Sequence, residues 1–108
     1  PLVVVRVLGE IDLATAPRFR SELLAAGVEL GRVDDSALRT LVVDLTDCDL
    51  IDSVGLGVTL GAARRTAEIG ARFVIVANER SRRTFERCRL DELLEFADSV
   101  ALAGEAVL

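Results

Sequence analysis

One segment of this chain constrains the fold more than any other. Thr40 to Leu45 carries Leu41-Val42-Val43 and closes on Asp44, with no alternation between apolar and polar positions. A strand with one wet face alternates, so an unbroken apolar run reads as a strand covered on both faces by helices, which implies a parallel sheet. The flanking sequence supplies the rest of such a sheet. Leu2 to Leu8 is apolar except for Arg6 and reads as a strand ending at Gly9, with Glu10-Ile11-Asp12 leading away from it. Thr15 ahead of Ala16-Pro17 is a good helix start, since Thr can cap free amides and Pro suits the first turn. That helix is expected to reach about Ala26, and Gly27 and Gly31 then bracket a polar surface connection, Arg32 to Arg39, containing Asp34-Asp35-Ser36.

After the Thr40 to Leu45 strand, a connection over Thr46 to Ile51 leads to a helix from about Ser53 to Ile69, closed by Gly70. Leu56, Leu60, Ala63 and Ala67 recur on one face of it. Ala71 to Ala77 reads as a third strand, Asn78 as the cap of a helix running through Arg87, and Phe96 to Val100 as a last short strand or helix start. The expectation is therefore a single α/β domain, a mostly parallel central sheet flanked by about four helices, with right-handed crossovers. Leu56, Leu60, Val42, Val74 and Val76 are expected to share one core between helix and sheet. Partners would meet such a fold at the carboxyl ends of its strands.

Composition narrows the function. With 108 residues and 51% hydrophobic content there is room for one core and no second domain. The net charge of −5 sets a field that repels nucleic acid and anionic headgroups. The apolar runs fall far short of the roughly 20 residues a bilayer crossing needs, so no direct membrane insertion is expected. No signal segment opens the chain, and it reads as cytoplasmic, a leader lost by trimming aside. The sequence has no His, Lys, Met, Trp or Tyr. Without His there is no Ser-His relay and no imidazole metal site, and without Lys there is no Schiff base and no Walker lysine, which argues against an enzyme. No cofactor and no metal are expected. Cys48 and Cys88 lie 40 positions apart, lack C-x-x-C spacing, and read as buried free thiols.

Two strand ends carry acids: Asp12 after the first, and Asp47, Asp49 and Asp52 after the second, so both loops could converge on one rim. The second rim continues as Ile51-Asp52-Ser53-Val54-Gly55-Leu56-Gly57. Asp or Ser before an amphipathic helix is ordinarily a cap, and Gly55 and Gly57 read either as packing glycines or as a place where a partner backbone comes close. A dinucleotide fingerprint fails because Leu60 stands where a third glycine is needed, and a nucleophile elbow fails because Ile51 stands at its first glycine. The clustered acids Asp12, Asp44, Asp47, Asp49 and Asp52 lack the lysine that a magnesium-dependent phospho-aspartate receiver uses. Arg80, Arg82, Arg83, Arg87 and Arg89 interleave with Glu79, Glu86, Asp91 and Glu92, as on a solvated helix face.

The segments Asp52-Ser53-x-Gly55-Leu56-Gly57 and Gly9-Glu10-Ile11-Asp12-Leu13-Ala14-Thr15-Ala16-Pro17, with Asn78 ahead of Arg82-Arg83, resemble the paired signature of anti-sigma factor antagonists among the STAS domains, over nearly the whole of residues 1–108. The resemblance implies bacterial partner switching in transcription and stress regulation. Unmodified, such a protein binds a GHKL-type anti-sigma factor serine kinase and frees the sigma factor. Phosphorylation at the position of Ser53 abolishes that binding, and a metal-dependent serine phosphatase resets it. By the same resemblance the partner-binding residues are Asp12, Asp52, Ser53, Val54, Gly55, Leu56 and Gly57. A phosphate on Ser53 is expected to be held by amides of the helix start and to place about two negative charges at the interface.

The sequence departs from the family pattern in places. Members commonly open with an extra strand that would pair with Leu2 to Leu8, and its absence here fits a trimmed chain. Arg89 stands where a glycine often ends the third helix, so a left-handed residue costing about 1 kcal/mol is expected there. Val54 replaces a frequent small polar residue. The rival readings are a constitutive scaffold STAS domain of a stressosome or lipid-transport assembly, in which Ser53 is only a cap, and a small phosphoryl-handling enzyme.

Overall fold

The computed structural model describes residues 1–33 and 38–104. The expected connection through Asp34-Asp35-Ser36 therefore lies outside the described residues. In chain order the elements are β1 (Leu2–Arg6), β2 (Gly9–Ile11), α1 (Ala16–Gly31), β3 (Thr40–Leu45), β4 (Cys48–Ile51), α2 (Ser53–Glu68), β5 (Arg72–Ala77), α3 (Glu79–Arg87), β6 (Glu95–Ala97) and α4 (Val100–Ala103). β1, β3, β5 and β6 form one four-stranded sheet in that order, every pair parallel. A second, two-stranded parallel sheet pairs β2 with β4.

β3 is buried at all six positions, as its unbroken apolar run implies. Successive side chains of a strand point to opposite faces, and here each face meets different helices. Leu41, Val43 and Leu45 of β3 and Phe73 and Ile75 of β5 pack with Phe19, Leu23, Ala26 and Leu30 of α1, Leu56 and Ala62 of α2 and Phe85 of α3. Val42, Val74 and Val76 project the other way, onto Ala103 and Val100 of α4.

That division overturns the expectation of one core shared by Leu56, Leu60, Val42, Val74 and Val76. The three valines lie on the sheet face away from α2, and Leu60 is only half-buried. The buried stripe of α2 is instead Gly55, Leu56, Thr59, Ala62 and Thr66, while Ala67 is exposed. Two threonines can face the core because each hydroxyl donates to its own helix one turn back, Thr59 to the Gly55 carbonyl at 2.9 Å and Thr66 to that of Ala62 at 2.7 Å. Apolar periodicity alone misses a stripe built that way.

Other boundaries differ from expectation as well. α1 continues through Gly27 to Gly31, carrying the fully buried Leu30. Both Glu10-Ile11 and the connection after Leu45 contain strand, since β2 and β4 pair with each other. Arg39, 5% exposed, donates to the carbonyls of Leu30 and Ile69, so one guanidinium ties the carboxyl end of α1 to the residue that follows α2. Cys48 is a buried free thiol whose pKa burial pushes up, whereas Cys88, also free, is exposed rather than buried.

Arg89 has φ of +57°, with its amide donating to the Glu86 carbonyl at the end of α3. Glycine reaches this conformation without the Cβ clash, so Arg89→Gly should raise stability by about 1 kcal/mol in urea unfolding. A loss of stability would mean that the arginine side chain contributes more than its backbone costs.

Candidate functional site

Parallel pairing of β2 with β4 builds the site. Ile11 lies in register with Ile51, and the Asp52 amide donates to the Ile11 carbonyl at 3.0 Å, so Asp12 and Asp52 leave the small sheet from adjacent strand ends. Of the acids expected to converge, Asp12 and Asp52 thus meet on one rim, whereas Asp47 pairs with Arg6 and Asp49 lies within β4. Each carboxylate organises its own turn. Asp12 Oδ1 accepts from the amides of Ala14 at 3.0 Å and Thr15 at 3.1 Å. Asp52 Oδ1 accepts from those of Val54 and Gly55, both at 3.0 Å, which makes Asp52 the cap of α2. Thr15 sits at the cap position of α1 without capping it, since its hydroxyl bonds the Glu10 carbonyl at 2.8 Å and the Asp12 amide at 2.9 Å.

Ser53 is the first residue of α2 and is exposed. Because Asp52 takes the capping role, Ser53 is not needed for it. The Val54 and Gly55 amides next to it are already bonded to Asp52.

The remaining residues divide by direction. Val54 is 40% exposed and Gly57 is exposed, while Leu56, only 5% exposed, and Gly55 turn into the core. Gly55 and Leu56 are thus buried at the helix start. A Cβ on Gly55 would lie 2.7 Å from both Ile11 Cγ2 and Ile51 Cγ1, so α2 rests directly on the β2–β4 pair. Gly57 has nothing within 4 Å of its Cβ position. The two glycines should accordingly respond in opposite ways. Gly55→Ala should destabilise by about 1–2 kcal/mol, overpacking outweighing the gain in helix propensity. Gly57→Ala should stabilise by about 0.5–1 kcal/mol. Urea unfolding of the two variants checks this, and equal shifts would remove the packing role of Gly55.

Sequence reasoning passed over the apolar part of the rim. Leu13 follows Asp12 and is 76% exposed, and Leu50, beside Ile51, is 46% exposed. Val54, directly after Ser53, adds a third exposed apolar side chain close in sequence to Asp12 or Asp52. A leucine within a polar turn, as in Asp12-Leu13-Ala14, was the available signal. Asn78 was read as a cap and as part of the antagonist signature. Its Oδ1 does accept from the Ser81 amide at 2.8 Å, but its Nδ2 also lies 2.7–3.2 Å from the carbonyls of Leu45, Thr46 and Cys48, fixing the β3–β4 turn to α3.

Two of the other acids have structural partners: Asp44 accepts from the Thr46 amide at 3.0 Å, and Asp47 pairs with Arg6, whose pKa that hydrogen bond raises. Among the described residues no three Cys, Asp or Glu side chains come together as a metal site. Three of the α3 arginines are likewise engaged, Arg80 with the Asp49 carbonyl at 3.2 Å, Arg83 with Glu79, and Arg82 over the Phe96 ring at 4.1 Å. No described helix is long and apolar enough to cross a membrane.

Comparison with known proteins places this geometry. The sequence pattern of the STAS domain matches residues 1–103. An anti-sigma-B factor antagonist of Listeria monocytogenes is 34% identical over 90 residues, spanning 82% of this chain and 73% of the relative. The crystal structure of an anti-sigma factor antagonist from Mycobacterium paratuberculosis superposes with a TM-score of 0.75 at 26% identity, covering 94% of this chain and 81% of the other. The anti-sigma factor antagonist SpoIIAA of Bacillus shares the fold in two forms. Its unphosphorylated form gives a TM-score of 0.66 at 20% identity, covering 93% and 82% of the two chains. Its phosphorylated form gives 0.59 at 21%, covering 91% and 84%.

Proposed function

Given that this chain belongs to the STAS domain family, among the anti-sigma factor antagonists, we propose that it is a non-enzymatic protein switch whose state is set at Ser53. Unmodified, it binds a GHKL-type anti-sigma factor serine kinase in the cytoplasm and thereby releases a sigma factor. Phosphorylated on Ser53, it lets the kinase go, and a metal-dependent serine phosphatase restores it. Residues 1–108 act as one STAS domain in this reading.

One observation carries the proposal. Ser53 is exposed on the first turn of α2, relieved of capping by Asp52, on a rim where Asp12 and Asp52 emerge together. A hydroxyl so placed is open to a kinase, and a phosphate added there compounds the negative charge already on the rim. Asp12, Asp52, Ser53, Val54 and Gly57 form the contact face in this proposal, with Gly55 and Leu56 holding it in place from beneath. The two solved forms of SpoIIAA agree with it, because a fold of this kind accommodates phosphorylation in that protein.

The test is to incubate the chain with GHKL-type serine kinases and ATP and to weigh it intact. One added phosphate, mapped to Ser53 and missing from Ser53→Ala, is the expected result. No phosphate, or a phosphate retained in Ser53→Ala, would overturn the assignment and leave a constitutive scaffold domain.

A further inference from the structure

The turn after β2 holds one apolar side chain out into solvent. Leu13, 76% exposed, is the most exposed large apolar side chain among the described residues. The backbone beneath it is closely bonded. Asp12 Oδ1 accepts from the amides of Ala14 and Thr15, and the Thr15 hydroxyl bonds the Glu10 carbonyl and the Asp12 amide. The Asp12 carbonyl in turn accepts from the amides of Thr15 at 3.2 Å and Ala16 at 2.8 Å. Thr15 thus fastens this turn instead of capping α1. A side chain carried on a turn already ordered loses little backbone freedom when a partner covers it.

Position ties Leu13 to the Ser53 rim. Asp12 and Asp52 leave paired parallel strands, and such strands run about 5 Å apart. Leu13 directly follows Asp12, Val54 directly follows Ser53, and Leu50 stands on the outer face of β4 beside the buried Ile51. With about 3.8 Å between consecutive Cα atoms, the Cα atoms of Leu13, Leu50 and Val54 all fall within roughly 13 Å of that of Ser53. A specific protein interface buries about 800 Å² on each partner, a patch of roughly 16 Å radius. A kinase seated on Ser53 therefore covers all three.

Interface affinity concentrates in a few large side chains, aromatic ones above all. This chain has no Trp or Tyr. Phe19, Phe73 and Phe85 are buried, and Phe96 packs against Phe85 and Arg82, so the aromatic side chains are spent within the fold and an aliphatic one is left to anchor a partner. Resting on the Ser53 switch as read above, we propose that Leu13 is the anchor of the kinase contact, inserted into an apolar pocket of that kinase with Leu50 and Val54 at its margin. These side chains supply affinity, and the charge state of Ser53 supplies control.

The kinase that phosphorylates Ser53 is the probe, titrated by calorimetry with ADP present. Leu13→Ala should weaken binding about tenfold or more, and leave the midpoint of urea unfolding unchanged because so exposed a side chain adds little to the fold. Leu93→Ala removes a leucine that is 73% exposed in the connection from α3 to β6, at the amino ends of the strands, and should stay within about twofold of the parent. In steady-state phosphorylation of Ser53, Leu13→Ala should raise KM about tenfold with kcat within about twofold, as for an interaction that binds substrate and transition state alike. If Leu13→Ala binds within twofold of the parent while phosphorylation of Ser53 still abolishes binding, the anchor is wrong and the switch stands. An equal loss in Leu93→Ala also overturns the anchor. If the parent chain neither binds a GHKL-type kinase nor gains a phosphate from one, both readings fall.

Discussion

Ser53→Asp should fold like the parent and lose the anti-sigma factor kinase. At the first position of α2 an added carboxylate meets the positive end of the helix dipole, and this helix carries no acid in its first turn, so stability should change by less than about 0.5 kcal/mol. Binding should weaken by about 2–5 kcal/mol, roughly thirtyfold to several thousandfold, because the complex would bury a new charge on a rim that already presents Asp12 and Asp52. Ser53→Ala should stay bound within about threefold, since it removes only a hydroxyl. Titration calorimetry with kinase and ADP at one salt concentration separates the two variants. Parent-like affinity in a folded Ser53→Asp would return Ser53 to a structural role.

The largest stability effect is expected at Phe85. It is fully buried on α3, and its ring meets Phe96 edge-on at 5.4 Å and 75°, with Arg82 over the far ring. Phe85→Ala should cost about 3–5 kcal/mol, a large share of the total stability of a domain this size. Phe96 is only half-buried, so Phe96→Ala should cost less. The midpoint of urea unfolding at an unchanged slope reads both. A loss at Phe85 below about 1 kcal/mol would mean that α3 is not anchored through this ring.

What the sequence disclosed follows from where its signals are local. β3 was legible because no other element explains an unbroken Leu41-Val42-Val43, and the starts of α2 and α3 were legible because Asp52 and Asn78 are caps with their own amides in reach. The resemblance of Asp52-Ser53-x-Gly55-Leu56-Gly57 to the antagonist signature then directed attention to the rim. β2 and β4 were not legible. They are three and four residues long, interrupted by Glu10 and Asp49, and exist as strands only because they pair with each other between residues 39 or more positions apart in the chain. The inward turn of Gly55 and Leu56 was hidden for the same reason, since it depends on Ile11 and Ile51 lying beneath the helix. The core stripe of α2 was misread because Thr59 and Thr66 look polar until their hydroxyls are paired within the helix.

The account rests on the charge state of a single hydroxyl, and the phosphoserine itself tests it more directly than any substitution. The chain phosphorylated on Ser53, purified from unmodified chain, should be titrated into the same kinase and ADP at the same salt. The unmodified chain should saturate the kinase, the phosphorylated chain should give no heat of binding over that range, and treatment with a metal-dependent serine phosphatase should restore the first curve. Equal affinity of the two forms would contradict the switch.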